Sequence, residues 1–202
     1  LMCTNWMYSM RHPDDVTVPV DFVSGDFSSI WGLERATAEA RFLDSRGMTW
    51  DLMAWSKAMS DGGSFEAKPV AHLCQEASEV IANGGAFCLY INPQRDGHLV
   101  EWHHVIVDEV AQFVRDRQTV CQGSKSIHEA VVLHGSTHFY ANNEPLYGLG
   151  DKNQPRMAHP VEGAMHALLD SGLHVDIQNE HGLLNKLGEY SLVVIPEQDP
   201  LS

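Results

Sequence analysis

The sequence predicts an α/β fold with parallel strands, built as two successive units. Three observations carry this expectation. Helix-period stretches alternate with short apolar runs along the chain. The segment from Glu79 to Leu99, EVIANGGAFCLYINPQRDGHL, contains a helix end, a glycine hinge, an apolar strand and a polar loop in succession. The same alternation restarts after a polar break between Gln118 and Ile127.

The elements follow in order. Met2 to Tyr8 reads as a strand that ends near Ser9. The loop MRHPDDVTVP, with its prolines and aspartates, is irregular. Val18 to Val23 is the second expected strand, stopped by Ser24-Gly25-Asp26. Ser28 and Ser29 offer an N-cap for a helix from Ile30 to Arg46, where Leu33, Ala36, Ala40 and Leu43 recur at helical intervals. Gly47 ends it. Thr49 to Trp55 is the third strand, and an open loop with Gly62-Gly63 at its tip follows. Lys68 to Asn83 is the next helix, with Pro69 in its first turn and Gly84-Gly85 at its end. The fourth strand, Ala86 to Ile91, stops at Asn92-Pro93, and Asp96-Gly97 turns the chain back. Trp102 to Arg117 forms another helix.

Beyond the break, Ala130 to Leu133 is a strand, and His138 to Ala158 a long loop rich in Asn, Gly and Pro. Val161 to Ser171 is a helix closed by Gly172, with Pro160 outside it. His174 to Ile177, His181 to Leu187 and Leu192 to Ile195 then read as strand, short helix and strand. The boundary falls between residues 1–123 and 124–202. Four strands are half of a closed eight-stranded α/β barrel, which needs about 250 residues. The second unit stops after βαβαβ, where a doubly wound sheet continues. The expectation is the C-terminal half of a (β/α)8 TIM-like barrel followed by a flavodoxin-like parallel domain. Both are truncated, so the chain reads as a piece of a longer one.

Composition narrows the partners. Asp and Glu number 27 against 13 Lys and Arg, a net charge of −14 that repels phosphate backbones. No nucleic acid is expected. Nor is a membrane, since no apolar run approaches the roughly 20 residues of a span. Cys3, Cys74, Cys88 and Cys121 are widely spaced without CxxC pairing. Cys88 in an apolar strand and Cys74 in a helix read as buried free thiols, which favours the cytoplasm. The first ten residues lack the basic and apolar regions of a signal peptide.

The 12 histidines supply no metal set. His134 and His138 straddle a strand end and a loop, His103-His104 diverge, and Pro160 separates His159 from Glu162 and His166. There is no GxSxG elbow, Walker loop or GxGxxG fingerprint, and Gly148 and Gly150 lack the strand-to-helix setting of a phosphate loop. No metal and no cofactor are expected.

Residues 83 to 99, NGGAFCLYINPQRDGHL, resemble the last barrel strand and loop of the α-L-fucosidase family of glycoside hydrolases. VDFVSGDF (20 to 27) resembles that family's strand ending in an acidic residue, and TWDLMAW (49 to 55) its Trp-acidic strand. Residues 129 to 198 are similar to the flavodoxin-like trimerisation domain that follows the barrel in some β-galactosidases and fucosidase-like proteins. The family's Ser-Trp-Gly-Tyr is replaced here by Trp55-Ser56-Lys57-Ala58, and Asp26 and Asp51 stand where Glu is common.

The resemblance implies a carbohydrate substrate, a homo-oligomer and a two-carboxylate mechanism, with the nucleophile on a strand before Leu1. Asp26, after a strand and a Ser-Gly turn, is the candidate acid/base, or else the cap of the following helix. Trp6 and Trp55 lie near strand ends, as sugar platforms or as core. Asn92 either contacts sugar hydroxyls or ties down its loop. Asp51 sits early in its strand, where a structural hydrogen bond competes with a substrate role. The expected function is therefore part of an α-L-fucosidase-like hydrolase, the chain alone being inactive. A β-galactosidase-like hydrolase and a non-catalytic carbohydrate-binding or oligomerisation protein on a decayed barrel are the alternatives.

Overall fold

A computed structural model describes residues 1–5, 7–26, 32–57, 66–142 and 154–199. The element order is β1 (Cys3–Asn5), β2 (Phe22–Asp26), α1 (Gly32–Asp44), β3 (Trp50–Trp55), α2 (Val70–Ala82), β4 (Ala86–Tyr90) and α3 (Glu101–Cys121). Then come β5 (Ala130–Leu133), α4 (Ser136–Asn142), α5 (Gln154–Asp170), β6 (Val175–Gln178), α6 (Glu180–Lys186), a 3-10 turn (Leu187–Glu189) and β7 (Leu192–Val194). Two parallel sheets result, one in the order β1-β2-β3-β4 and one in the order β6-β5-β7. The fold is mixed α/β.

Strand alternation gives the first sheet two unlike faces. Val23, Trp50, Leu52 and Ala54 point to one side and pack with Ala36, Ala40 and Leu43 of α1 and Val80 of α2. The other side carries Ser24 and Asp26 of β2, Asp51, Met53 and Trp55 of β3, and Ala86, Cys88 and Tyr90 of β4. There Cys88 and Tyr90 are exposed, and Asp51, Met53 and Trp55 only half-buried. Parallel sheets are ordinarily covered on both faces. This one is covered on one.

Helix α1 lies between the two sheets. Its Ala36, Ala40 and Leu43 enter the first core, and its Ala38 and Phe42 enter the second, with Val132, Val161, Met165, Val175 and Ile177. Alanines at three successive even positions let both sheets approach the helix backbone closely. Polar contacts repeat the junction: Arg35 bonds Glu162 at 2.8 Å, and Asn179 Nδ2 donates to the Pro13 carbonyl at 2.8 Å.

Several elements depart from the sequence reading. The first strand is only Cys3–Asn5, because Tyr8 takes a left-handed backbone (φ 66°) and turns its ring into the core. The second begins at Phe22. Helix α3 runs through Gln118 to Cys121, so the polar break starts at Gln122. Polar side chains alone do not stop a helix; Gly123, at φ 78°, marks where it ends. Part of the expected long loop is the helix α4, whose first amides are capped from outside. Glu180 accepts from the backbone N–H groups of Ser136 (2.6 Å) and Thr137 (2.9 Å) and from both hydroxyls. These bonds hold its carboxyl down to about 2 against the opposing effect of burial. Pro160 lies inside α5 rather than before it. Residues 143–153 of that loop, Ser28, Ser29 and Gly62-Gly63 fall outside the described residues.

The thiols also differ from expectation. All four cysteines are free, but Cys88 and Cys3 are exposed and Cys74 and Cys121 half-buried. Cys88 points to the uncovered face of its sheet, so an apolar strand did not bury it.

His134, just past β5, is enclosed between Phe42 and Phe139, with Nε2 2.8 Å from the Met10 carbonyl. Burial holds its pKa down to about 4. The folded protein therefore keeps this ring neutral where the unfolded chain protonates it. Stability is fully present above about pH 6.5 and falls as pH drops through the window to about 4, by at most ~1.4 kcal/mol per pH unit. Urea midpoints measured between pH 7 and pH 4 check this, and His134→Gln should flatten the slope.

Candidate active site at the carboxyl edge of the first sheet

In parallel α/β sheets, ligands gather where strands end. Asp26 closes β2 and is 4% exposed, opposite Met53 in the register. Trp55 closes β3 on the same face, two residues farther along, or roughly 7 Å. It pairs with Tyr90, the last residue of β4, and their ring centroids are 5.8 Å apart. Lys57 brings its ammonium to 5.1 Å from the Trp55 ring centroid, a cation–π contact on the indole. Asn92 lies half-buried just beyond β4. The following turn closes as read from Asp96-Gly97, with Gly97 N–H donating to the Gln94 carbonyl at 2.9 Å.

Asp51 is set apart from this edge. It lies in the first half of β3 and takes a hydrogen bond from Ser24 Oγ at 2.5 Å across to β2. The structure thus gathers Asp26, Trp55 and Asn92 at one end of the sheet and leaves Asp51 mid-strand. Trp6 lies outside the described residues.

Asp26 belongs to a buried charge group. Arg11, in the loop after β1, feels Glu39, Arg35 and Asp26, and burial lowers its pKa against the carboxylates' pull. Glu39, on the buried side of α1, accepts the Met10 N–H at 3.0 Å and has Arg35 Nε at 3.9 Å. Burial still pushes its carboxyl up.

A second group, not singled out from the sequence, ties Lys68 to the end of β3. Lys68 N–H donates to the Ser56 carbonyl at 2.6 Å, while its ammonium donates to Glu76 Oε1 at 2.6 Å. Ser56 N–H in turn donates to the Tyr90 carbonyl at 3.0 Å. Lys68 is 2% and Glu76 0% exposed. His72 Nε2, closer to solvent, is 3.1 Å from the same Glu76 oxygen. Burial pushes the Glu76 carboxyl up, against the bond and charge of Lys68 and the charge of His72. Gly32, which opens α1 at φ 23°, has no room for a Cβ, because one would meet His72 Nε2 at 2.7 Å. The i,i+4 spacing of His72 and Glu76 is a sequence signal. The reach of Lys68 is not, since it precedes the helix.

The comparisons bear on this arrangement. The structure matches alpha-L-fucosidase isoenzyme 2 from Paenibacillus thiaminolyticus at a TM-score of 0.63, over 81% of this chain, with 18% sequence identity. The fold is fucosidase-like. The match takes in 23% of that enzyme, so the chain spans under a quarter of its length. No family model matches the sequence, and no curated protein does. Among the described residues, no helix is long and apolar enough to cross a membrane, and no group of three or more His, Cys, Asp or Glu is placed to hold a metal ion.

The Lys68–Glu76 pair has a measurable role. Lys68→Met strands a buried carboxylate and should cost about 3–5 kcal/mol in chemical denaturation. Lys68→Met with Glu76→Leu removes both charges and should recover most of that loss.

Proposed function

We propose that the chain is part of a glycoside hydrolase of the α-L-fucosidase type. Residues 1–123 supply four strands of a (β/α)8 barrel, and residues 124–202 begin a flavodoxin-like domain. The observation that carries the reading is the fold likeness to a fucosidase, coupled to a buried carboxylate at the carboxyl edge of the first sheet. The uncovered face of that sheet supports the barrel, because a barrel interior is where such a face is filled by side chains from further strands.

In this reading the substrate is a carbohydrate. A retaining glycosidase sets two carboxyl groups roughly 5 Å apart, one attacking the anomeric carbon and one protonating the leaving oxygen. Asp26, buried at the end of β2, is proposed as the proton donor. The nucleophile is proposed to lie on a strand before Leu1. Trp55 and Tyr90 offer ring surface to the apolar side of a sugar, and Asn92 an amide to its hydroxyls.

The test uses the full-length gene product on aryl glycosides. Turnover is expected on an aryl α-L-fucoside, and Asp26→Asn should lower kcat/KM about 10²–10⁴-fold, as loss of a proton donor does. Preference for an aryl β-galactoside selects the β-galactosidase-like alternative. Sugar binding without turnover selects a decayed barrel.

The barrel itself is testable through its thiols. Cys3 and Cys88 lie exposed on β1 and β4. In the full-length protein both should resist alkylation by iodoacetamide, while both react in the 202-residue polypeptide. Equal labelling in the two, mapped by mass spectrometry, would contradict a completed barrel.

A further inference from the structure

A cleft of about 710 Å³ opens at the opposite end of the first sheet. Its walls are the loop entering β2 (Asp15 to Val20), the turn after α1 (Ser45 to Met48), and the end of β6 with α6. Its size is that of a small-molecule site, roughly 300–1,000 Å³. Nothing in the glycosidase reading uses it.

Two polar atoms in its walls are enclosed and have no hydrogen-bond partner among the described residues: Gln178 Oε1 and Arg46 Nε. Gln178 is 1% exposed. Its orientation is fixed by a chain of bonds that starts at Asp176. That carboxylate accepts from Ser126 Oγ and lies 2.6 Å from His128 Nδ1, and it accepts the Tyr190 hydroxyl at 2.7 Å. The Tyr190 oxygen is then free only to accept, and it takes Gln178 Nε2–H at 2.5 Å. The amide oxygen is therefore turned away from the chain as an unused acceptor. Gly182 makes room for it, since a Cβ there would meet Oε1 at 2.8 Å. Arg46 is held from the other wall by its Nη1 bond to the Asp14 carbonyl at 3.0 Å and by stacking 4.1 Å from the Phe42 ring centroid, which leaves Nε unused.

The lining discriminates among ligand classes. Arg46 and Lys186 outnumber Asp15 in the lining, but Asp14 and Glu180 also act on Arg46, so the charge is close to balanced. A phosphate would leave Gln178 Oε1 and Asp15 facing oxygen. An apolar ligand would gain nothing from either orphaned atom, whereas a ligand that reaches both with hydroxyls pairs them. Adjacent hydroxyls both donate and accept, and a ring carrying them has an apolar face for Val16, Val20 and Met48.

We propose that the cleft between the two sheets binds a sugar unit, separately from the carboxyl edge of the first sheet. One hydroxyl donates to Gln178 Oε1 and another accepts from Arg46 Nε, the cleft wall adjusting to admit them. The site is non-catalytic and stands whether or not the protein hydrolyses glycosides.

The experiment titrates the full-length protein with D-glucose, D-galactose, D-mannose, L-fucose and D-glucuronate, read by calorimetry and by hydrogen exchange of residues 178–186. At least one sugar should bind and slow exchange in that segment. Gly182→Ala, which crowds Oε1 while favouring the helix, and Arg46→Met, which replaces the guanidinium stack on Phe42 by an apolar contact of similar reach, should each weaken binding about tenfold, the worth of one such bond. Three results would overturn the proposal. They are binding of none of the five sugars, exchange in 178–186 unchanged by the sugar that binds, and binding lost in Asp26→Asn but kept in both cleft variants. If a variant fails to fold, the exchange result on the unmodified protein decides.

Discussion

The structure depends on one helix being buried from both sides. An α-helix beside a single sheet needs only one apolar stripe. Helix α1 has two, with Ala36, Ala40 and Leu43 for the first sheet and Ala38 and Phe42 for the second. The residues between them are buried too, and they include Arg35 and Glu39. A carboxylate and a guanidinium in that position are costly unless bonded. Glu39 takes a backbone amide from the loop after β1, and Arg35 reaches Glu162 on α5. The polar residues of the helix thus fix the loop before one sheet and the helix over the other, and the apolar ones cover both.

That arrangement also sets which surfaces are left for chemistry. With α1 and α2 on one face of the first sheet, Asp26, Asp51, Trp55, Cys88 and Tyr90 share the other. Only the residues at the strand ends combine burial of charge with an edge where loops meet. Asp51 shares the face and already spends one oxygen on Ser24. Position along the strand, more than residue type, separates the two aspartates.

Much of the architecture was legible in the sequence, because strands β3 to β6 have short apolar runs bounded by Gly, Pro or Asn, and α1 and α2 show clean helical periodicity. The failures have separate causes. Helix α4 has a weak local signal and is capped by Glu180, which lies far along the chain. The burial of Cys88 was read from its apolar neighbours, yet burial depends on what covers a face, which strand composition does not encode. The end of α3 was placed at polar residues when the glycine after them decided it. The placement of Asp26, Trp55 and Asn92 at the carboxyl edge was legible because strand ends can be read off turn residues. The role of Lys68 was not, because its ammonium partner is on the following helix and its backbone bond reaches back to Ser56 at the end of β3.

The second sheet shows the same economy in reverse. Asp176 is buried, and Ser126, His128 and Tyr190 all converge on it. A carboxylate so supplied has no further need of Gln178, whose amide is instead oriented through the Tyr190 hydroxyl. A fully satisfied network is ordinarily apolar in effect, closed to outside ligands. Here the chain of donors and acceptors has an odd end. Each link uses up one partner, and the last acceptor, Gln178 Oε1, is delivered to the cleft wall beside a glycine. An unpaired oxygen in that position weakens the fold unless something outside the described residues completes it. The position of that oxygen is set by four residues that do not line the cleft, Asp176, Ser126, His128 and Tyr190.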